Sequence, residues 1–393
     1  MPAAHGDSHN FGRRVRVKRG RIVKPRSLFW EWLLLSADSP LRERLAQVGD
    51  QELGVGAFDF LPTLRFFGSL GPQGGEVEAI RLQALDSRSA ATRRDLSAIV
   101  GRSLALWSWL GAADLHWENL ALGVDAQGRT VFGPLDIEML LSDLALPTET
   151  KLLPDPDPEY AVICQHASGV RRVLPYLGKP IRGEDLLTMA SAYRACLELL
   201  ERHAAALSSV MAAQPDLRSA PIRVLLRGTA DYVSPGVEVW PPWLDAEREQ
   251  LARGDIPYFF RLYGRPGIHY YCEPTLTKLA RLPLRGDVPQ LDPLLSLERH
   301  LRSPSRRKLR EHGLLALLGA FDHPSLRGVQ RGPELSIRFG ARTLTLGFPN
   351  GEQLQTRRDL RAVVNSVYLP CRCGEVRSVL APSLTVCKPV RPW

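Results

Sequence analysis

Between residues 13 and 26 the chain reads RRVRVKRGRIVKPR, alternating basic and apolar positions through Val15 and Val17, turning at KRGR and resuming at Ile22. Period-two alternation around a short turn predicts a β-hairpin. The same period puts Lys24 on the face of Ile22, and Pro25 biases Lys24 toward extended backbone. Residues 93–110, RRDLSAIVGRSLALWSWL, place Leu96, Ile99, Val100, Ser103, Trp107 and Leu110 at helical spacing, with Gly111 as the stop. The chain then runs through AADLHWENL into a second hairpin, LALGVDAQGRTVFG, turning at DAQG, and on into PLDIEMLL. The Pro- and acid-rich stretch 146–160 reads as a surface loop, and 184–207 as a helix.

After about residue 276 the pattern changes. A helical SRRKLREHGLLALLGAF is followed by strand-like ELSIRFG, RTLTLGF and EQLQT with a turn at PNG, which predicts a separate small α+β unit. No internal repeat or heptad is visible.

Length and composition narrow the class. At 393 residues the chain exceeds one ordinary core and reads as two or three domains. Its 44% hydrophobic and 24% charged content is that of a folded globular protein. No run approaches the roughly 20 apolar residues of a membrane-spanning helix, and LFWEWLLL is interrupted by Glu31. No secretory signal is visible, so the expected location is cytoplasmic. Six cysteines, Cys164, Cys196, Cys272, Cys371, Cys373 and Cys387, are too sparse for a disulfide framework. The last three form only a weak zinc pattern.

A net charge of +9 invites a polyanionic partner. Residues 13–26 carry eight basic side chains and no acid, either a solvated face or a phosphate-facing one.

Phosphoryl transfer from ATP needs Mg²⁺ held by hard oxygens, a basic group on the phosphates and a residue to orient the accepting hydroxyl. DLHWEN and DIE supply these types: Asn119 and Asp136 suit the metal, and Asp114 or His116 suits the hydroxyl. Lys24, inward on a strand behind a Gly-containing loop, suits the phosphates. Helix, polar loop, hairpin and acidic pair follow one another as in the C-terminal lobe of a protein kinase.

Four blocks in order, GDSHNFGRRV…GRIVKPRSL, DLHWENLALG…PLDIEMLL, IRVLLRGTADYV and EREQLARGDIPYF, span roughly residues 6–260. Together they resemble the dehydratase domain of LanM-type (class II) lanthipeptide synthetases. The resemblance implies an α+β, two-lobed, protein/lipid-kinase-like fold over 1–275, with one lobe to about residue 85 and the other from 86, followed by a C-terminal region of unassigned role at 276–393.

It also implies a chemistry. Such dehydratases phosphorylate Ser and Thr of a ribosomal precursor peptide bearing a leader, using ATP and Mg²⁺, and then eliminate phosphate to leave dehydroalanine or dehydrobutyrine. Carried across, the phosphorylation set is Asp114, His116, Asn119, Asp136 and Glu138, with Asn119, Asp136 and Glu138 toward the metal. The elimination set is Asp7, His9, Arg223 and Thr229, with Lys24 close to both. Elimination removes a weakly acidic Cα proton and a phosphate dianion. Arg223 suits the phosphate, Thr229 a hydrogen bond to it, and His9 or Lys24 the proton.

The long segment that precedes the GD motif in that family, and its zinc-dependent cyclase with Cys and Cys-His ligands, have no counterpart in these 393 residues. Ring closure is therefore not expected of this chain, which leaves room for a separate cyclase as a partner. Neither membrane nor nucleic acid is expected as one. For HGDSHNFG itself a metal site of His5, Asp7 and His9, or an unfolded tail, stands beside the elimination reading. For the whole chain the alternatives are a kinase-like phosphotransferase without elimination and a non-catalytic basic binding protein or degenerate remnant.

Overall fold

The computed structural model describes residues 4–87, 89–141, 150–153, 168–178, 180–226, 232, 244–283, 305–323 and 325–357. It is an α+β protein whose described sheets are antiparallel.

The first sheet has the order β1-β2-β3-β5-β4, from Ala4–His9 (β1), Arg13–Lys18 (β2), Arg21–Lys24 (β3), Phe66–Phe67 (β4) and Gly75–Glu78 (β5). The predicted hairpin is its β2–β3 pair, closed at Arg19 and Gly20, both with positive φ. Helices at Phe29–Leu35 and Pro40–Glu52 follow β3, and Ser39 caps the second by accepting the Arg42 amide.

The 90–109 helix, Ala90–Trp109, packs along Gly183–Arg202. Gly101 permits that approach, since a Cβ there would stand 2.2 Å from the Met189 carbonyl oxygen. The expected 184–207 helix is broken at His203, and a second helix, Ala204–Ala212, turns to pack on Pro40–Glu52. Re-aiming lets Leu207 and Met211 bury while His203 and Arg202 both meet Glu52.

Between the long helices lies the hairpin of Leu120–Val124 (β6) and Thr130–Pro134 (β7), turning at Asp125–Gly128 as its sequence predicts. A four-stranded sheet, β11-β10-β9-β8, joins Ile222–Val224 (β8), Phe259–Leu262 (β9), Arg265–Tyr271 (β10) and Leu279–Arg281 (β11).

The C-terminal helix Ser305–Phe321 is followed by Gly328–Arg331 (β12), Ser336–Phe339 (β13), Thr343–Gly347 (β14) and Gln353–Arg357 (β15). Three of these strands match the alternating runs of the sequence. β12 is a mostly exposed edge strand and carries no apolar alternation to announce it. Leu314, Leu317, Leu318, Ile337 and Leu346 join the same buried cluster as Leu104, Trp107 and Tyr193. Residues 305–357 therefore share a buried cluster with the long helices, whereas Leu276 and Leu282 pack with the β8–β11 sheet. Among the described residues no helix is long and apolar enough to cross a membrane.

Candidate active site

Lys24 ends β3 and is buried, 6% exposed, as the period-two reading places it. Its Nζ donates to Glu31 Oε1 at 2.8 Å and to the Leu135 carbonyl at 2.7 Å, and lies 3.9 Å from Asp136 Oδ1. Glu31 is fully buried on the helix after β3, so the pair ties strand to helix. Arg26 lies alongside: its Nη2 meets both Glu31 Oε1 and Asp136 Oδ1, and its Nε meets Glu138 Oε1 at 2.7 Å.

Hairpin register brings the two halves of the DLHWEN…DIE pattern together. Leu120 pairs with Pro134, and the Leu135 amide donates to the Asn119 carbonyl at 2.8 Å, so Asn119 and the Asp136 segment leave the hairpin at the same end. Asn119 Nδ2 donates to the Asp114 carbonyl at 3.0 Å. Asp114 adopts a positive φ of 63°, a strained backbone for a non-glycine residue. Lys151 holds its carboxylate, Nζ to Oδ1, at 2.7 Å. His116 stands at the start of the short Trp117–Asn119 turn and bridges to Ser168, its Nδ1 4.0 Å from Glu118 Oε2.

Glu138 links this region to β8. The Arg223 amide donates to the Glu138 carbonyl at 2.8 Å, and Arg223 Nη1 meets Glu138 Oε2 at 3.3 Å. The guanidinium lies over the Tyr258 ring, 5.4 Å from its centroid. Its Nε is buried with no hydrogen-bond partner among the described residues.

The charges are mutually stabilised. Burial opposes ionisation of Asp136, but Arg26 and then Lys24 outweigh it and hold the carboxyl well below its usual range. Burial likewise opposes the Arg223 charge, which Glu138, Tyr258, Asp114 and Asp136 together raise. Asp114 therefore belongs to the same electrostatic neighbourhood as Arg223. Burial, then Glu138, pushes the Tyr258 phenol well up, keeping it protonated.

The N-terminal motif docks on the segment following the Asp245–Ala252 helix. Ser8 Oγ donates to Asp255 Oδ1 at 2.7 Å, and the amides of Phe11 and Gly12 donate to the same carboxylate at 2.7 and 2.9 Å. Asn10, Phe11 and Gly12 all have positive φ, so the turn presents its amides to one anion. His9 Nδ1 is 2.7 Å from the Ile256 carbonyl, and its ring centroid is 5.9 Å from that of Tyr258. GDSH, IRV and RGDIPYF thus meet in space.

Thr229 and the clustered cysteines 371, 373 and 387 lie outside the described residues, as does Cys164. Asp7 and His5 are described only as backbone in β1. Among the described residues no group of three or more His, Cys, Asp or Glu side chains is placed to hold a metal. Asp136, Glu138 and Asn119 nevertheless match Mg²⁺ in donor chemistry: all present hard oxygens, and Asp136 is firmly ionised with about a third of its side chain exposed.

Arg26, Glu31, Lys151, Tyr258 and Asp255 are site residues that pattern alone did not select. Glu31 had a signal, a lone acid inside LFWEWLLL. Arg26 had another, two positions beyond Lys24 and just past the end of β3. Lys151 had none, lying in a loop that reaches Asp114 only through the fold.

No protein-family model matches the chain, and no curated protein shows significant similarity to it.

Proposed function

We propose that the protein is a LanM-type dehydratase acting on a ribosomal precursor peptide, phosphorylating Ser and Thr with ATP and then eliminating the phosphate. The observation that carries this reading is the junction at Glu138, where Arg26 from the phosphorylation side and Arg223 from the elimination side meet one carboxylate.

The Lys24–Glu31 pair supports the kinase-like half. A strand lysine fixed by a helix glutamate is the device protein kinases use to hold nucleotide phosphates. Asn119, Asp136 and Glu138 would hold Mg²⁺, which neutralises phosphate charge when bound. Asp114, oriented by Lys151, or His116 accepts the proton of the substrate hydroxyl.

The second half is supported by Arg223 and His9. The Arg223 Nε–H, without a partner among the described residues, has a ready acceptor in a phosphate oxygen. A carbonyl can only accept, so His9 Nδ1 donates to Ile256 and fixes the orientation of the ring. His9 takes the Cα proton, the freed electron pair forms the Cα–Cβ double bond, the Cβ–O bond breaks, and inorganic phosphate departs. Lys24 is the less suited base, because its ammonium is held by Glu31 and the Leu135 carbonyl.

The test is incubation with ATP, Mg²⁺ and a Ser/Thr/Cys-rich candidate precursor peptide, read by mass spectrometry. The parent is expected to give loss of one water per modified residue, and Asp136→Asn unmodified peptide. Arg223→Met is expected to slow elimination by about two to three powers of ten and leave phosphopeptide. Phosphopeptide from the parent itself would reduce the activity to a phosphotransferase. No ATP turnover would leave a basic binding protein, for which the exposed Arg14, Arg16, Lys18 and Arg19 would be the surface.

A further inference from the structure

Arg26 touches every acidic side chain of the Lys24 cluster: Glu31 and Asp136 through Nη2, and Glu138 through Nε at 2.7 Å. It is 8% exposed, and its remaining Nη1 donates to the Ser27 carbonyl at 3.0 Å. Burial works against its charge, but Asp136, Glu138 and Glu31 outweigh that and bind the cation firmly. The cluster is balanced, with Glu31, Asp136 and Glu138 facing Lys24, Arg26 and Arg223.

A balanced cluster carries no net negative charge to attract a divalent cation. One oxygen of Asp136 and one of Glu138 already accept from the guanidinium, and an added double charge beside it is repelled. Nucleotide phosphates change this. They supply anionic oxygens that a guanidinium grips in planar, paired fashion.

We propose that Arg26 is a resident competitor for the divalent-cation seat, excluding the bare metal and yielding Asp136 and Glu138 when a nucleotide triphosphate accepts its guanidinium. Metal loading is thereby made dependent on nucleotide. This rests on the metal role proposed above for Asp136 and Glu138.

Mn²⁺ is the probe, titrated into the full chain and followed by the electron-spin resonance of the free ion. Without nucleotide the parent is expected to bind weakly, and Arg26→Met about tenfold or more tightly, because it strips buried carboxylates of their cation. Arg26→Lys keeps one charge but cannot bridge three carboxylates, and is expected between the two. Arg21→Met, which removes a charge from the exposed hairpin, is expected to match the parent. A non-hydrolysable ATP analogue should raise parental affinity and narrow the gap to Arg26→Met.

Equal or weaker Mn²⁺ binding by both Arg26 variants, with the parent still binding the ion in the presence of the analogue, overturns the competition alone. No binding by any protein, with or without the analogue, overturns both the competition and the metal role. Should Arg26→Met fail to fold, the Arg26→Lys comparison decides in the same way.

Discussion

Lys24 and Glu31 form a fully enclosed ion pair, Nζ to Oε1 at 2.8 Å, that fastens the end of β3 to the helix Phe29–Leu35. Removing Lys24 leaves buried Glu31 to Arg26, which Asp136 and Glu138 also share, and puts the cluster one charge out of balance, a costly state. Lys24→Met should therefore lose about 3 kcal/mol of stability in urea denaturation, while Lys24→Met/Glu31→Leu should recover most of that loss. A double variant as unstable as the two single losses added together would show that the pair is not the coupled unit described.

The strand carrying Lys24 is also fixed from outside, by Gly74. A Cβ at Gly74 would stand 2.1 Å from the Lys24 carbonyl oxygen and 2.8 Å from the Arg26 amide nitrogen, on a residue whose φ is +87°. Gly74→Ala should cost about 2 kcal/mol or more, since backbone must move as well as twist. Gly54→Ala is the control, with φ of +100° and open space around its Cβ. Equal losses in the two variants, measured by thermal melting with nucleotide affinity alongside, would remove the steric argument.

Asp136 gives a pH prediction with a definite sign. Its folded pKa is depressed below the unfolded value, against burial and by Arg26 and Lys24. Its contribution is thus complete above the unfolded carboxylate value of about 3.9 and is lost only as pH falls below that toward the folded value. The stability difference between the parent and Asp136→Asn should stay constant from about pH 7 to 5 and shrink in stronger acid. A difference already shrinking near pH 6 would mean that Asp136 is not held ionised.

Much of this arrangement was legible where periodicity is strong and local. The hairpin at 13–24, the 90–109 helix and the DAQG turn follow from alternation, helical spacing and turn chemistry. Residue type also pointed to Asn119 and Asp136, and the resemblance to Glu138; the hairpin register explains why Asn119 and the segment carrying both acids leave the hairpin together. What escaped was long-range. The two-residue strand β4 is too short to show a period. The break at His203 is imposed by packing on another helix, not by a breaker residue. Arg26 looked like one more arginine of a basic run until three carboxylates from two other segments surrounded it.

Asp255 was equally silent, because its task is to hold a segment some 240 residues away. One buried carboxylate accepts from Ser8 Oγ and from the Phe11 and Gly12 amides, and thereby fixes the positive-φ turn that follows His9. His9 in turn reaches Tyr258, over which Arg223 lies. Asp255→Ala leaves three donors without their anion and should cost about 1.5 to 3 kcal/mol locally, the range for hydrogen bonds to a charged group. Lys24, Glu31, Asn119 and Asp136 are held by other elements and should keep their places. In the proposed two-step reaction the variant should therefore phosphorylate peptide near the parental rate and accumulate phosphopeptide, with Asp255→Asn partly restoring elimination. Asp255 would then be a positioning residue for His9. Equal loss of both steps in Asp255→Ala, at unchanged nucleotide affinity, would instead make the turn part of the phosphorylation machinery.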